Sequence, residues 1–377
     1  MREVVAVDHL ACVNAYYTSM RVSLQSLRAP VEPYARASAS KKRKRSKAAS
    51  SHNPEPPAPA LLAHLEEARL LVLDAVVAQA TPLTMSIVER IEPMVQMLTA
   101  SESIVANDSD DDGLVMQDGH QFLLPRQATY FLGDVRKLTA ADLPGPFRLV
   151  VIDPPWDNKS VARNGTYATM HEANLLPLAA MLSASMDPAG CIVAIWVTNK
   201  PAYMTFLLDA LLPAMRMDSS CPLAVWTWLK VATTGEPVTP LASTHRLPFE
   251  RLVVAARGPA AFCDAFRALP EQTLVSVPLR HSWKPPIDHL FPPSLVPSNS
   301  PKLELFAREL RPHWTSVGNE VLKFQDLRLF TLATDDDDDD EGARRDAGLE
   351  RDAGEDGESS CTGNATSSTN RVATSEV

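Results

Sequence analysis

Short apolar runs alternate with helix-period stretches across residues 120–331. Phe147–Ile152 is a β-rich run that ends on an acid, Asp153. Cys191–Val197 is apolar at every position, the pattern of a strand buried on both faces. Ala224–Val231, Arg251–Ala255, Thr273–Val277 and Val317–Phe324 read as further strands. Helical patterns fall between them at Leu175–Leu182 and Ala202–Leu212, and Pro286–Leu290 opens a short helix. This alternation predicts an α/β fold, a three-layer sandwich around a largely parallel sheet. In open sheets of that kind, ligands sit beyond the carboxyl ends of the strands. Asp153 occupies such an end.

The rest of the chain has a different texture. An N-terminal segment, residues 1–30, mixes apolar and polar groups and has room for a short helix or strand. Residues 31–59 form a Pro/Ala/Ser/Lys linker carrying Lys41-Lys42-Arg43-Lys44-Arg45, too polar to offset its chain entropy and so expected to be disordered. Residues 60–119 read as a helical extension followed by an acidic loop. Leu61, Leu65, Ala68 and then Ile87, Ile91, Met94 and Val95 recur at helical spacing, and Pro82 divides them into two helices. The loop, 101–119, holds Asp108, Asp110, Asp111 and Asp112. Residues 332–377 read as a disordered acidic tail.

Charge sharpens these boundaries. The chain of 377 residues carries a net charge of −10, and the segment from Asp335 onward alone holds 14 acids and 4 bases. The remainder is therefore neutral, and residues 126–330, with 20 bases and 17 acids, are slightly positive. Acidity belongs to the tail; the body is compatible with a nucleic-acid partner. Apolar residues at 45% exclude a wholly disordered chain. No apolar run reaches the roughly 18 residues needed to cross a bilayer, so no membrane partner is expected. The five cysteines are scattered with no C-x-x-C pair, which argues against a disulfide framework or a cysteine-rich zinc site. No metal cluster is visible. With no apolar signal region at the N-terminus, a reducing intracellular compartment fits, and Lys41–Arg45 reads as a nuclear localisation signal or a phosphate-binding arm.

Asp153-Pro154-Pro155-Trp156 is the first candidate for chemistry. A carboxylate at a strand end accepts hydrogen bonds from an amino group. Pro154 has a fixed φ and no N–H, so the turn is stiff and its carbonyl supplies a second acceptor. Two rigid acceptors suit an exocyclic –NH2, and Trp156 offers a flat wall for a stacked base, worth roughly 1–3 kcal/mol. The alternative is a proline-rich turn in which Asp153 caps a helix and Trp156 lies in the core.

The tetrapeptide, following Leu149-Val-Val-Ile152, resembles the signature of the DPPW, or MT-A, family of S-adenosylmethionine-dependent adenine N6-methyltransferases. Asp157-Asn158-Lys159-Ser160, His281-Ser-Trp-Lys-Pro-Pro286, Leu303-Glu-Leu-Phe-Ala-Arg308 and Trp314-Thr-Ser-Val-Gly-Asn-Glu-Val-Leu-Lys-Phe324 are similar to one branch, the methyltransferase-like protein four group. The likeness covers roughly residues 128–325. It implies a Rossmann-like methyltransferase with permuted motif order, because no G-x-G-x-x-G occurs and the cofactor-type element at Glu304–Arg308 follows the catalytic one.

The resemblance also implies roles. Asp153, Pro154, Pro155 and Trp156 form the catalytic element, with Asp153 also facing S-adenosyl-L-methionine. Lys284 meets the cofactor's methionine carboxylate. Asp134 and Val135 recognise its adenine through a carboxylate and a backbone amide. Arg308, Asn319 and Glu320 surround its ribose. Tyr167 matches an active-site-loop tyrosine of the family, on a loop that also carries Asn158, Lys159 and Arg163; the two cations are placed to meet phosphates, and with Trp156 these residues form the expected substrate contacts. Ser243, His245 and Glu250 lie in a segment similar to family elements flanking the site. Glu309-Leu-Arg311 stands where the messenger-RNA enzymes carry Pro-His-Asn, so their ribose contacts are not copied here.

The expected activity is thus methylation of adenine N6 in nucleic acid. The branch points to RNA adenosine, including 2′-O-methylated adenosine of small nuclear RNA, with DNA adenine as the other substrate. A base in a single strand, or extruded from a duplex, is easiest to reach. The competing reading is a catalytically silent scaffold that binds RNA or a methyltransferase partner. No protein partner is legible in the sequence.

Overall fold

The computed structural model describes residues 2–34, 57–84, 98–101, 103–156, 170–217, 220–243, 247–333 and 369–374. The strands are, in order, β1 (Arg2–Val7), β2 (Met20–Val22), β3 (Ile104–Asn107), β4 (Gly113–Gln117), β5 (His120–Leu124), β6 (Ala128–Leu132), β7 (Leu149–Ile152) and β8 (Cys191–Val197). They continue with β9 (Leu223–Lys230), β10 (Phe249–Arg257), β11 (Glu271–Ser276), β12 (Lys302–Leu305), β13 (Trp314–Gly318), β14 (Phe330–Leu332) and β15 (Thr369–Thr374). The helices are α1 (His9–Asn14), α2 (Pro59–Leu71), α3 (Leu73–Ala80), α4 (Ala179–Ser185), α5 (Pro201–Phe206), α6 (Leu212–Ala214) and α7 (Ala260–Arg267).

Among the described residues eleven strands form one sheet in the order β15-β1-β11-β9-β10-β8-β7-β12-β13-β6-β3. β6, β13, β12, β7 and β8 run parallel to one another, as do β1, β11 and β9. β10 is antiparallel to both its neighbours and joins these blocks. Eight parallel strands therefore end on one edge, and β10 begins there. Period-two alternation sorts the strand side chains onto two covered faces. Val150, Ile152, Val193 and Ile195 pack with Leu182 of α4 and with Tyr203 and Leu207. Leu149, Val151, Ile192 and Ala194 pack on the other side with Phe262 and Phe266 of α7 and with Phe291. This is the expected α/β sandwich with a mostly parallel sheet.

Several local expectations change. The stretch 101–119 is not all loop. Ile104–Asn107 pairs antiparallel with β6, and Gly113–Gln117 makes a hairpin with β5. Its acids gather in the turn between, where the Asp112 carboxylate accepts from Thr18 N–H and Arg126 N–H. The strand expected over Val317–Phe324 is instead Trp314–Gly318. A Cβ at Gly318 would meet Ala307 backbone atoms at 3.1 Å, and beyond this tight crossing the chain turns away. The helix expected from Leu175 begins as a 3-10 turn, Glu172–Leu178, because Pro177 has no N–H to give. The Ala202–Leu212 helix is interrupted by a π-helical stretch at Leu207–Leu211.

The two ends enter the sheets as well. Residues 2–7 form a strand of the kind the N-terminal segment had room for, and it lies inside the sheet, parallel to β11. Phe330–Leu332, at the junction of body and tail, pairs with β2, and Thr369–Thr374 of the tail pairs antiparallel with β1, covering what would otherwise be an open strand edge. Residues 35–56 of the linker, which carry Lys41–Arg45, the helix expected over Ile87–Val95 and the remaining acidic tail lie outside the described residues, whereas Tyr34 N–H donates to Val238 O at 2.9 Å and Pro59 already opens α2. Among the described residues no helix is long and apolar enough to cross a membrane.

Candidate active site

Asp153 follows the last residue of β7, and its N–H donates to Leu305 O of β12 at 3.3 Å. It is 6% exposed. Its neighbours arrive from the same sheet edge. Arg308 lies three residues past β12, Glu320 two past β13, Lys230 at the end of β9, Glu250 at the start of antiparallel β10, and Lys284 in the loop after β11.

The side chains form an alternating chain of charge. Arg308 Nη1 donates to Asp153 Oδ2 at 2.7 Å, and Lys284 Nζ lies 3.1 Å from Asp153 Oδ1. Lys284 Nζ also stands 3.0 Å from Glu250 Oε2, whose other oxygen accepts from Lys230 Nζ. On the far side Arg308 Nε donates to Glu320 Oε2 at 3.1 Å, and Lys323 Nζ donates to Glu320 Oε1 at 2.7 Å. Burial alone would raise the Glu250 carboxyl, but Lys230 and Lys284 hold it well below the ordinary range. Burial likewise opposes charge on Lys284, yet Asp153 and Glu250 keep its pKa raised. Among the described residues, four cations in this chain of charge face three anions, an excess of one positive charge.

A second buried cluster lies beneath. Arg311 Nε donates to Glu309 Oε1 at 2.8 Å, and Trp283 Nε1–H donates to Glu309 Oε2 at 2.6 Å. Arg311 Nη2 is 3.4 Å from Glu304 Oε2, which makes no hydrogen bond. Burial pushes the Glu304 carboxyl up to about 7. A cavity of about 10 Å³, lined by Asp153, Lys284, Glu304, Arg308 and Arg311 among others, opens onto both clusters. That is room for about one water. Phe306 (φ 62°) and Ser282 (φ 68°), in the two motifs that deliver Arg308 and Lys284, hold left-handed backbone without being glycine. Strain of that kind concentrates at functional sites.

The sequence reading is corrected at Trp156. Its ring is 6% exposed, stacked on Tyr203 at 4.5 Å and 26°, and its Nε1–H donates to Trp196 O at 2.8 Å. It is part of the core and gives no bare face to a base. Pro154 O accepts from Trp156 N–H at 2.8 Å, so it is not wholly free; one lone pair remains for another donor. Pro155 O accepts from Met170 N–H at 2.8 Å, which ties the motif to Met170.

Asp153, Lys284, Arg308 and Glu320 are brought together. Asn319 is exposed beside Glu320. Asp134 and Val135 follow β6, three strands from β7, a span of roughly 14 Å at ordinary strand spacing. The Asp134 carboxylate accepts from Arg136 N–H at 2.9 Å and pairs with the Arg136 guanidinium, so it is engaged locally. Asn158, Lys159, Arg163, Tyr167 and His245 lie outside the described residues. Sequence reading missed Lys230, Glu304 and Lys323; the available signal for Lys230 was a lysine closing an otherwise apolar, Trp-rich strand.

These residues suit an S-adenosylmethionine-type ligand. Lys284 and Arg308 are largely buried cations fit for a carboxylate, and Glu304 Oε2, with no hydrogen bond of its own, is an acceptor on the same cavity fit for an ammonium. The ends of β7, β12, β13 and β6 give a row of polar groups for the remainder. The sequence profile of the MT-A70 family matches residues 147–320, the stretch that holds Asp153, Glu250, Lys284, Arg308 and Glu320.

Residues 147–320 are an MT-A70 domain.

Its relatives include the mouse "N(6)-adenine-specific methyltransferase METTL4", 35% identical over 242 residues that cover 62% of this chain and 50% of that protein. The "N6-methyladenosine RNA methyltransferase MTA1" of Cryphonectria parasitica is 38% identical over 54% of this chain and 60% of its own length. The "DNA N6-methyl methyltransferase" of Caenorhabditis elegans is 34% identical over 59% of each. The chain spans about half the length of the mouse and human relatives, 50% and 48%. The MT-A70 domain begins just before β7 and ends just after β13, so β1, β3 and β6 lie outside it.

Proposed function

We propose that this chain transfers a methyl group from S-adenosylmethionine to the N6 amine of adenine in nucleic acid. The observation that carries the reading is Asp153, a buried carboxylate at a strand end, gripped by two cations inside an MT-A70 domain. When bound, the cofactor supplies an electrophilic methyl on sulfur. Lys284 and Arg308 hold its carboxylate and ribose, and Glu304 faces its ammonium.

The N6 lone pair of adenine is delocalised into the ring and is a poor nucleophile. Asp153 accepts one amine proton and the remaining lone pair of Pro154 O accepts the other, which fixes the nitrogen and turns its lone pair toward the methyl. Rigid placement of this kind replaces a bimolecular encounter. Acceptors aimed at the charge developing on the amine add electrostatic stabilisation. The departing amine proton would leave along the Asp153 hydrogen bond as the N–CH3 bond forms and the S–CH3 bond breaks, with S-adenosylhomocysteine as the leaving thioether.

RNA adenosine is the proposed substrate, including 2′-O-methylated adenosine in small nuclear RNA, with DNA adenine as the competitor. The relatives named for RNA and for DNA both bear on this choice. We place the protein in the nucleus on the strength of Lys41–Arg45. The test is incorporation of labelled methyl into separate RNA, DNA and protein pools by wild type and Asp153→Ala. Incorporation into RNA that Asp153→Ala abolishes is the expected result. Label in protein alone, or equal label from both enzymes, defeats the reading. Cofactor binding without transfer to any pool would make the chain a silent scaffold.

A further inference from the structure

The N-terminal segment lies outside the MT-A70 domain yet grips the loop that presents Lys284. β1 runs parallel to β11 with Ala6 opposite Val275, so the chain after each strand leaves the sheet at the same place. One exit delivers His9, the other Trp283 and Lys284. His9 is 2% exposed, and neither ring nitrogen makes a hydrogen bond. Its ring meets Trp283 edge-on, with centroids 5.9 Å apart at 78°. The Trp283 face is covered by Phe324 at 4.3 Å, and its N–H is fixed by Glu309. The indole is thus held by a plane, an edge and a hydrogen bond, and the edge comes from outside the family domain.

Other contacts tie the same two pieces. Arg28 N–H donates to Leu279 O at 2.8 Å, and Arg280 Nε–H donates to Ser26 O. Gln325 Oε1 accepts from both Tyr17 O–H and Leu310 N–H, linking the segment to the Arg308–Arg311 turn as well.

We propose that His9 is a positioning residue: its ring wedges Trp283 and thereby fixes the adjacent Lys284 against Asp153. Burial first, and Arg311 second, lower the imidazole pKa to about 3, against an opposing polar contact with the Lys284 backbone. The ring is therefore neutral at working pH and acts as an uncharged wedge. An aromatic ring contact of this geometry is replaceable by another ring but not by a methyl. The role of Lys284 toward cofactor rests on the function proposed above; the wedge itself does not.

The test compares full-length wild type, His9→Ala and His9→Phe. S-adenosylhomocysteine affinity by calorimetry is expected to fall about tenfold in His9→Ala and to stay within about twofold in His9→Phe, consistent with losing one well-packed contact. The KM for oligonucleotide, measured at saturating cofactor, stays unchanged in both. Amide hydrogen exchange, read without cofactor, is expected to quicken in His9→Ala at residues 279–284 and not across the sheet. Unchanged exchange there overturns the wedge whatever the cofactor result. Equal loss in the Phe and Ala variants overturns it too. Wild type that binds no cofactor, with exchange quickened as expected, would refute the proposed function and leave the wedge standing.

Discussion

Arg308 Nη1 lies 2.7 Å from Asp153 Oδ2 while Lys284 takes Oδ1, so both oxygens of the proposed amine acceptor are engaged by the cations proposed to hold the cofactor. Ligand carboxylate drawn to these cations competes with Asp153 for them. Cofactor binding would therefore release the acceptor that the base needs. Coupling between two ligands is reciprocal. Oligonucleotide affinity measured by anisotropy is expected to rise about fivefold or more with saturating S-adenosylhomocysteine, the lower end of ordinary coupling. Equal affinity with and without it would contradict the arrangement.

Glu250 separates Lys230 from Lys284. Glu250→Gln leaves two partly buried ammoniums sharing a neutral amide. Removing one member of a buried charge pair costs about 3–5 kcal/mol, whereas an apolar replacement of the pair is often tolerated. The single variant is expected to lose stability on that scale in urea unfolding. Adding Lys230→Met should recover most of it, because Lys284 keeps Asp153. A double variant no better than the single one would count against the charge chain.

Glu304 sets a pH dependence. Burial raises its carboxyl from 4.5 to about 7, with Arg311 opposing and Glu309 and Asp153 adding to the rise. Between those values the folded state binds more protons than the unfolded, so stability falls as pH climbs through the window and is flat above it. Glu304→Gln removes this loss while Arg311 keeps Glu309. Its melting temperature relative to wild type is expected to rise by roughly 2–6 °C between pH 4.5 and pH 8. A constant difference across that range would show that Glu304 does not titrate there.

Trp156 distinguishes core from platform. A buried indole removed to alanine costs about 3–5 kcal/mol, and here it also strips Trp196 O of its donor. Trp156→Ala is expected to unfold far earlier in denaturant. A stable variant with only a raised KM for nucleic acid would return Trp156 to the substrate face.

The sequence carried the sheet and the corner because both are local. Cys191–Val197 and Phe147–Ile152 announce buried strands by composition, and Asp153 must then stand at a carboxyl end. Lys284 and Arg308 were legible through short motifs whose order along the chain is itself informative. Lys230, Glu304 and the seating of Trp156 were not. Each depends on which strand lies beside which, and strand order leaves little trace in a strand's own residues. The same holds for β1 and β15, whose segments gain structure only by pairing with partners far along the chain.

Residue pattern alone determined an α/β body, a methyltransferase-like corner at Asp153 and a charged tail apart from it. Tertiary structure decided that the corner is closed by its own cations, that Trp156 packs inward, and that the first residues of the chain join the sheet. The reason is physical: periodicity and turn chemistry act over a few residues, whereas pairing, burial and electrostatic coupling depend on groups brought together from all along the chain.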